Sequence, residues 1–267
     1  MSALTENNAT VKFFKEQLLR LLRSNSELSA TIYEVFINGG YAYVVGGYVR
    51  DLLNNTQSRD VDIIIDLSKD KFERIINTYC TNYSINRHGG IKIHYGDYSV
   101  DMWRIDDNWA FKNELINYNE NNVLESIAAG CFYDYDALVV NMLSGGYNIH
   151  YYTDCIRNKQ LTILRQNPNY SNLNPTVEAN ILRAFYLKKT QNLEFSSSVS
   201  NYIINKMPTI SLDIKEALQK LLDVKKGYPK YEILTMDYIK QEYRKLLYSN
   251  NQITNEHYLL SYDFLLS

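Results

Sequence analysis

Residues 42–65 read AYVVGGYVRDLLNNTQSRDVDIII. The segment opens with Tyr41–Val45 (YAYVV), an aromatic and β-branched run that predicts a strand. Gly46-Gly47 follows as a turn, and Tyr48–Asn54 (YVRDLLN) reads as a short helix. Glycine lets the backbone adopt positive φ and come close to a ligand. Amides at such a turn, with a helix N-terminus behind them, suit a triphosphate. Val61–Ile65 (VDIII) predicts a second strand. Strand side chains alternate, so Asp60 and Asp62 share one face while Val61 and Ile63 take the other. Neighbouring carboxylates stay ionised together when a cation lies between them. Mg²⁺, or Mn²⁺ in its place, prefers oxygen ligands and binds carboxylates together with substrate phosphates. Alone, strand–Gly-Gly–helix is equally a simple turn, and DxD is equally a solvated strand end. The apolar flank of Ile63, Ile64 and Ile65 sets this pair apart from a polar surface.

Working outward, strands are predicted at 90–95 (GIKIHY) and 98–104 (YSVDMWR), with Gly96-Asp97 as the hairpin turn between them. Asp101 lies on the second of these and is the candidate third carboxylate of a two-metal site. One metal would hold the triphosphate. The other would activate an attacking hydroxyl, with pyrophosphate leaving. N-terminal to the decisive stretch, VKFFKEQLLRLLR (11–23) puts Val11, Phe14, Leu18, Leu21 and Leu22 on one helical stripe, and 29–36 continues helically. Ser68 is placed to cap a helix over 69–79. This predicts a small mixed sheet with helices on one side, an α+β pattern.

Beyond residue 110 the chain turns helical, at Leu124–Ala129, Tyr135–Leu143, Thr176–Lys188, Asp213–Lys225 and Tyr231–Leu247. Asn167–Pro175 and the serine-rich 191–200 read as loops. The expected division is 1–145 for an α+β head with its N-terminal helix, and 146–267 for an all-helical neck and body.

Composition narrows the partners. A formal charge of −2 lacks the basic excess of proteins that grip long nucleic acid, so nucleotide or short-strand binding is expected first. Cys80, Cys131 and Cys155 form no CxxC pair, which argues against a zinc site and for reduced thiols in the cytoplasm. No signal peptide or membrane-spanning run is visible. His88, His94, His150 and His257 are scattered without metal-ligand spacing.

The stretch 42–65 resembles the head signature of the CCA-adding enzyme and bacterial poly(A) polymerase family, class II of the polymerase β-like nucleotidyltransferases. That pattern is an apolar strand, GGxVRDxL, then DxD on the next strand. Here it stands as Gly46-Gly47-Tyr48-Val49-Arg50-Asp51-Leu52 and Asp60-Val61-Asp62. The resemblance implies that Gly46 and Gly47 cradle the triphosphate and that Asp60 and Asp62 hold the metals. It puts Arg50 near phosphate or ribose, with an ion pair to Asp51 or Asp60 as the alternative. Tyr133–Leu138 (YDYDAL) is similar to the family segment ending in INAL, with Asp136 where asparagine is usual. That segment implies a sugar contact. Ile181–Phe185 (ILRAF) looks like the family's neck helix, and Arg183 there is implied to contact phosphate or ribose.

Departures matter as much. The family's EDxxR base-reading motif falls on Thr176, Val177 and Asn180, so its Asp and Arg are both missing. Asn180 could pair with adenine through its carboxamide; the alternative is a surface helix residue. The chain ends NEHYLLSYDFLLS. In outline it resembles the Hailong anti-phage nucleotidyltransferases, which make short oligodeoxyadenylate primed on their own C-terminal tyrosine. That resemblance implies Tyr262, then Tyr258, as acceptor, dATP as substrate, a short single-stranded product and an effector protein that senses it. Docking of a terminal helix is the plainer role for those tyrosines. A tRNA or RNA 3′-end nucleotidyltransferase and a catalytically inactive binding module complete the expectations.

Overall fold

A computed structural model describes residues 8–58, 60–85, 89–95, 98–165 and 176–249. Gly96-Asp97, the 167–175 loop, Tyr258 and Tyr262 lie outside the described residues. The chain divides into two compact units, 1–154 and 155–267.

The first unit runs α1 (Asn8–Arg23), α2 (Ser26–Ile37), β1 (Tyr41–Val45), α3 (Gly47–Leu53), β2 (Asp60–Asp66) and α4 (Lys69–Tyr79). It continues with β3 (Tyr83–Ile85), β4 (Ile91–Tyr95), β5 (Tyr98–Arg104), α5 (Trp109–Lys112), α6 (Val123–Ala129), β6 (Val139–Asn141) and β7 (Tyr147–Asn148), and α7 (His150–Asn158) carries the chain across the boundary. The strands form one sheet in the order β3-β4-β5-β2-β1-β6-β7. Only the β2–β5 pair is parallel; its neighbours are antiparallel, so the sheet is mixed as expected.

Local chemistry accounts for most of these elements. Asn25 caps α2 by accepting the Leu28 amide at 2.8 Å. α1 buries Phe14, Leu18 and Leu21, and α4 buries Phe72, Ile75 and Ile76, each set at helical spacing. Ser68 precedes α4 without making the expected side-chain cap bond. On β2, Val61, Ile63 and Ile65 are buried on one face, but Ile64 on the other face is buried as well. The sheet is therefore covered on both sides at this strand, not on one.

The expected helix at 135–143 is absent. Asp134–Asp136 makes a single tight turn, and Val139–Asn141 then joins the sheet as β6 beside β1. The apolar run there serves a buried strand, whose composition matches that of a buried helix. β3, all exposed, and the two-residue β7 were not anticipated.

The second unit holds α8 (Val177–Gln191), α9 (Ser197–Ile210), α10 (Ile214–Lys226) and α11 (Met236–Ser249). A short parallel pair, β8 (Gln160–Leu161) and β9 (Glu194–Phe195), interrupts the all-helical expectation. The serine-rich 191–200 stretch is no loop throughout. Ser196 caps α9 by accepting the Val199 amide at 3.4 Å, so the serines mark a helix start. Among the described residues no helix is long and apolar enough to cross a membrane.

Candidate active site

β1 leads directly into the glycine turn. Gly46 has φ +66° and ψ −125°, a conformation open mainly to glycine, and it precedes the first turn of α3. Its own N–H is committed to the Leu138 carbonyl at 2.8 Å, which fastens the turn to the segment entering β6. Gly46 therefore shapes the turn, and donors for an anion come from the residues after it.

β2 runs antiparallel to β1 with Val45 opposite Asp62. Asp62 thus sits beside the last residue before the turn. On the other side β2 pairs in parallel with β5, Asp60 opposite Ser99 and Asp62 opposite Asp101. β5 then pairs with β4, Lys92 opposite Asp101. Residues opposite one another share a face of the sheet. Asp60, Asp62, Ser99, Asp101 and Lys92 consequently line one face beside the glycine turn.

The polar contacts are specific. Ser99 Oγ donates to Asp60 Oδ1 at 2.7 Å. Lys92 Nζ donates to Asp101 Oδ2 at 2.9 Å. Asp62 sits between the other two acids, and its carboxyl is pushed up to about 7. Burial is the main cause, followed by the charges of Asp101 and Asp60; Lys92 works in the opposite direction.

Arg50 stands behind the turn. It donates to Asp136 at 2.9 Å and to Asp51 at 3.3 Å, and its guanidinium lies 5.2 Å from the centre of the Tyr135 ring. Of the expected ion pairs, that with Asp51 forms and that with Asp60 does not. Asp136 takes its place, so the two polar groups implied to touch the nucleotide also brace each other. Lys92 and Ser99 escaped the sequence reading, although the two-residue spacing between the strands predicted at 90–95 and 98–104 implies the pairing of Lys92 with Asp101.

Asn180 and Arg183 belong to the second unit. Asn180 is buried on α8, not on its surface. Arg183 lies 5.9 Å from the centre of the Tyr186 ring.

Among the described residues, no group of three or more His, Cys, Asp or Glu side chains is set to hold a metal ion. The chemistry of the remaining donors still fits Mg²⁺. Asp60 and Asp62 present oxygen alone, and Mg²⁺ is commonly held by one or two carboxylates plus substrate phosphates.

A model of the poly A polymerase head domain matches residues 42–126, which takes in the glycine turn and all three aspartates. That match is confined to this segment of the chain. Solved structures extend the likeness of fold beyond the poly A polymerase head. A CCA-adding enzyme complexed with ATP is 13% identical with a TM-score of 0.57, covering 89% of this chain and 53% of that one. The Thermotoga maritima CCA-adding enzyme in complex with tRNA is 14% identical with a TM-score of 0.56, again covering 89% and 53%. A tRNA-processing enzyme is 16% identical with a TM-score of 0.54, covering 81% and 58%. The chain thus spans little more than half the length of these relatives. The comparison with curated proteins gives no match.

Proposed function

We propose that this chain is a nucleotidyltransferase that moves a nucleoside monophosphate from an NTP or dNTP to a hydroxyl, with adenine nucleotides preferred. The acceptor oxygen bonds to the α-phosphorus, the bridging bond to the β-phosphate breaks, and pyrophosphate leaves. The observation that carries this reading is the placement of Asp60 and Asp62 on one face of β2, with Asp62 opposite the residue that enters the Gly46 turn.

In this reading Asp60 and Asp62 hold Mg²⁺ or Mn²⁺. The ion supplies charge neutralisation for the phosphates and lowers the pKa of the attacking hydroxyl. Ser99 orients Asp60. The first turn of α3 offers backbone donors to the phosphates. Arg50 and Asp136 hold the turn and the facing segment together, close to where a ribose would lie. The match to a poly A polymerase head supports the reaction class. The neighbour complexed with ATP supports the substrate class, and the one complexed with tRNA supports an RNA 3′ end as an alternative acceptor. Priming on Tyr262 or Tyr258, with a short oligodeoxyadenylate product sensed by an effector in anti-phage defence, is the finer form of the same reading.

One experiment separates these forms. The full chain is incubated with each labelled NTP and dNTP and Mn²⁺ or Mg²⁺, with and without an RNA primer, and the protein is weighed by intact mass spectrometry. Label on the protein, or a ladder without primer, supports self-priming. Label only with RNA supports 3′-end addition. No turnover under any condition marks an inactive binding module and refutes the proposal. Asp60→Asn and Asp62→Asn should each lower turnover by about 10³-fold, the loss expected when several kcal/mol of metal-derived stabilisation disappear.

A further inference from the structure

The position beside Asp62 is where a third metal-ligating carboxylate would serve, and Asp101 stands there in the parallel register. Adjacent strands lie about 4.8 Å apart, close enough for two carboxylates to share ions. Asp101 is nevertheless engaged from its other side. Lys92, opposite it on β4, places its ammonium 2.9 Å from Oδ2. The pair is not a loose surface contact, since the Asp101 side chain is only 17% exposed. Asp60, by contrast, accepts from a neutral hydroxyl, and Lys92 acts on it through charge at longer range, with no direct hydrogen bond between them.

We propose that Lys92 holds Asp101 out of the metal set, so that the head takes up one divalent cation, on Asp60 and Asp62. The Lys92 ammonium then supplies the site's second fixed positive charge. Three carboxylates against one ammonium leave two negative charges, which a single divalent ion cancels. A second divalent ion would have to displace Lys92 from a hydrogen-bonded, charge-assisted contact. Lys92 is thereby a positioning residue, acting on the reaction through Asp101. The inference rests on the nucleotidyl-transfer reading of Asp60 and Asp62.

Its test counts bound Mn²⁺ on the full chain by equilibrium dialysis with metal analysis, without nucleotide. Wild type should hold one ion per chain. Lys92→Met should hold two, Lys92→Arg should return the count to one, and Asp101→Asn in the Lys92→Met background should also return it to one. Two ions on wild type, or one on a folded Lys92→Met protein, overturns the inference while leaving the Asp60–Asp62 site standing. No ion on wild type overturns that site and the inference with it. If Lys92→Met does not fold, wild type and Asp101→Asn still decide, because a fall from two ions to one between them is incompatible with the proposal.

Discussion

Asp62 is strained electrostatically in a way that can be measured without any substrate. Its carboxyl is raised to about 7 by burial and by Asp101 and Asp60. A carboxyl raised on folding makes the folded state hold a proton that the unfolded chain has already lost. Its contribution to stability is full below the ordinary Asp value near 4 and disappears as pH rises through about 7. The metal-free protein should therefore melt at a lower temperature at pH 8 than at pH 5, insofar as Asp62 governs the difference. Asp62→Asn should flatten that dependence, and Mg²⁺ should raise the melting temperature at pH 8 more than at pH 5. Thermal melts across pH, with EDTA and with Mg²⁺, check both points; an unchanged pH profile in Asp62→Asn would remove Asp62 as the source. This residue was legible beforehand because strand alternation sets Asp60 and Asp62 side by side. Asn180 was less so. Its residue type allowed a surface site, a base contact or a buried position, and its burial depends on α9 packing against α8, a helix the sequence did not announce.

Between β1 and α3 the two glycines are not equivalent. Gly46 has φ +66°, and a Cβ there would meet only the Asp136 carbonyl at an ordinary 3.8 Å. Alanine at 46 is therefore opposed by backbone strain and not by crowding, at about 1–3 kcal/mol. A Cβ at Gly47 would approach the Arg50 guanidinium at 3.4 Å, and the position is helical. Alanine there trades a small adjustment of Arg50 against better helix propensity, with a net change within about 1 kcal/mol. Urea unfolding of Gly46→Ala and Gly47→Ala should thus show a clear loss only in the first; equal losses would contradict the strain argument. Elements with strong period or punctuation were readable: β1, β2, β5 and α4 lie where the sequence places them. Those whose cues point two ways were not. The run that ends as β6 is apolar enough for either state, and the serines of 196–200 suit a loop as well as a helix cap.

At the scale of the whole molecule, charge limits what the chain can hold. With 28 Lys and Arg against 30 Asp and Glu, it has no general attraction for phosphate backbones. Binding of a tRNA-length RNA at physiological salt should fall in the non-specific range, with Kd no tighter than about 10⁻⁶ M. A nanomolar Kd in a filter-binding titration would reveal a local basic surface that the total conceals. The order of strands matters here as well. Two residues separate Tyr95 from Tyr98, and the pairing that follows brings Lys92 opposite Asp101. Adding or removing a single residue between those two tyrosines would slip one strand past the other and flip its side chains. Asp101 would then confront Ile91 or Ile93 in place of an ammonium. The charge balance beside Asp62 is in this sense governed by loop length, and a one-residue insertion or deletion would change it without touching any acid.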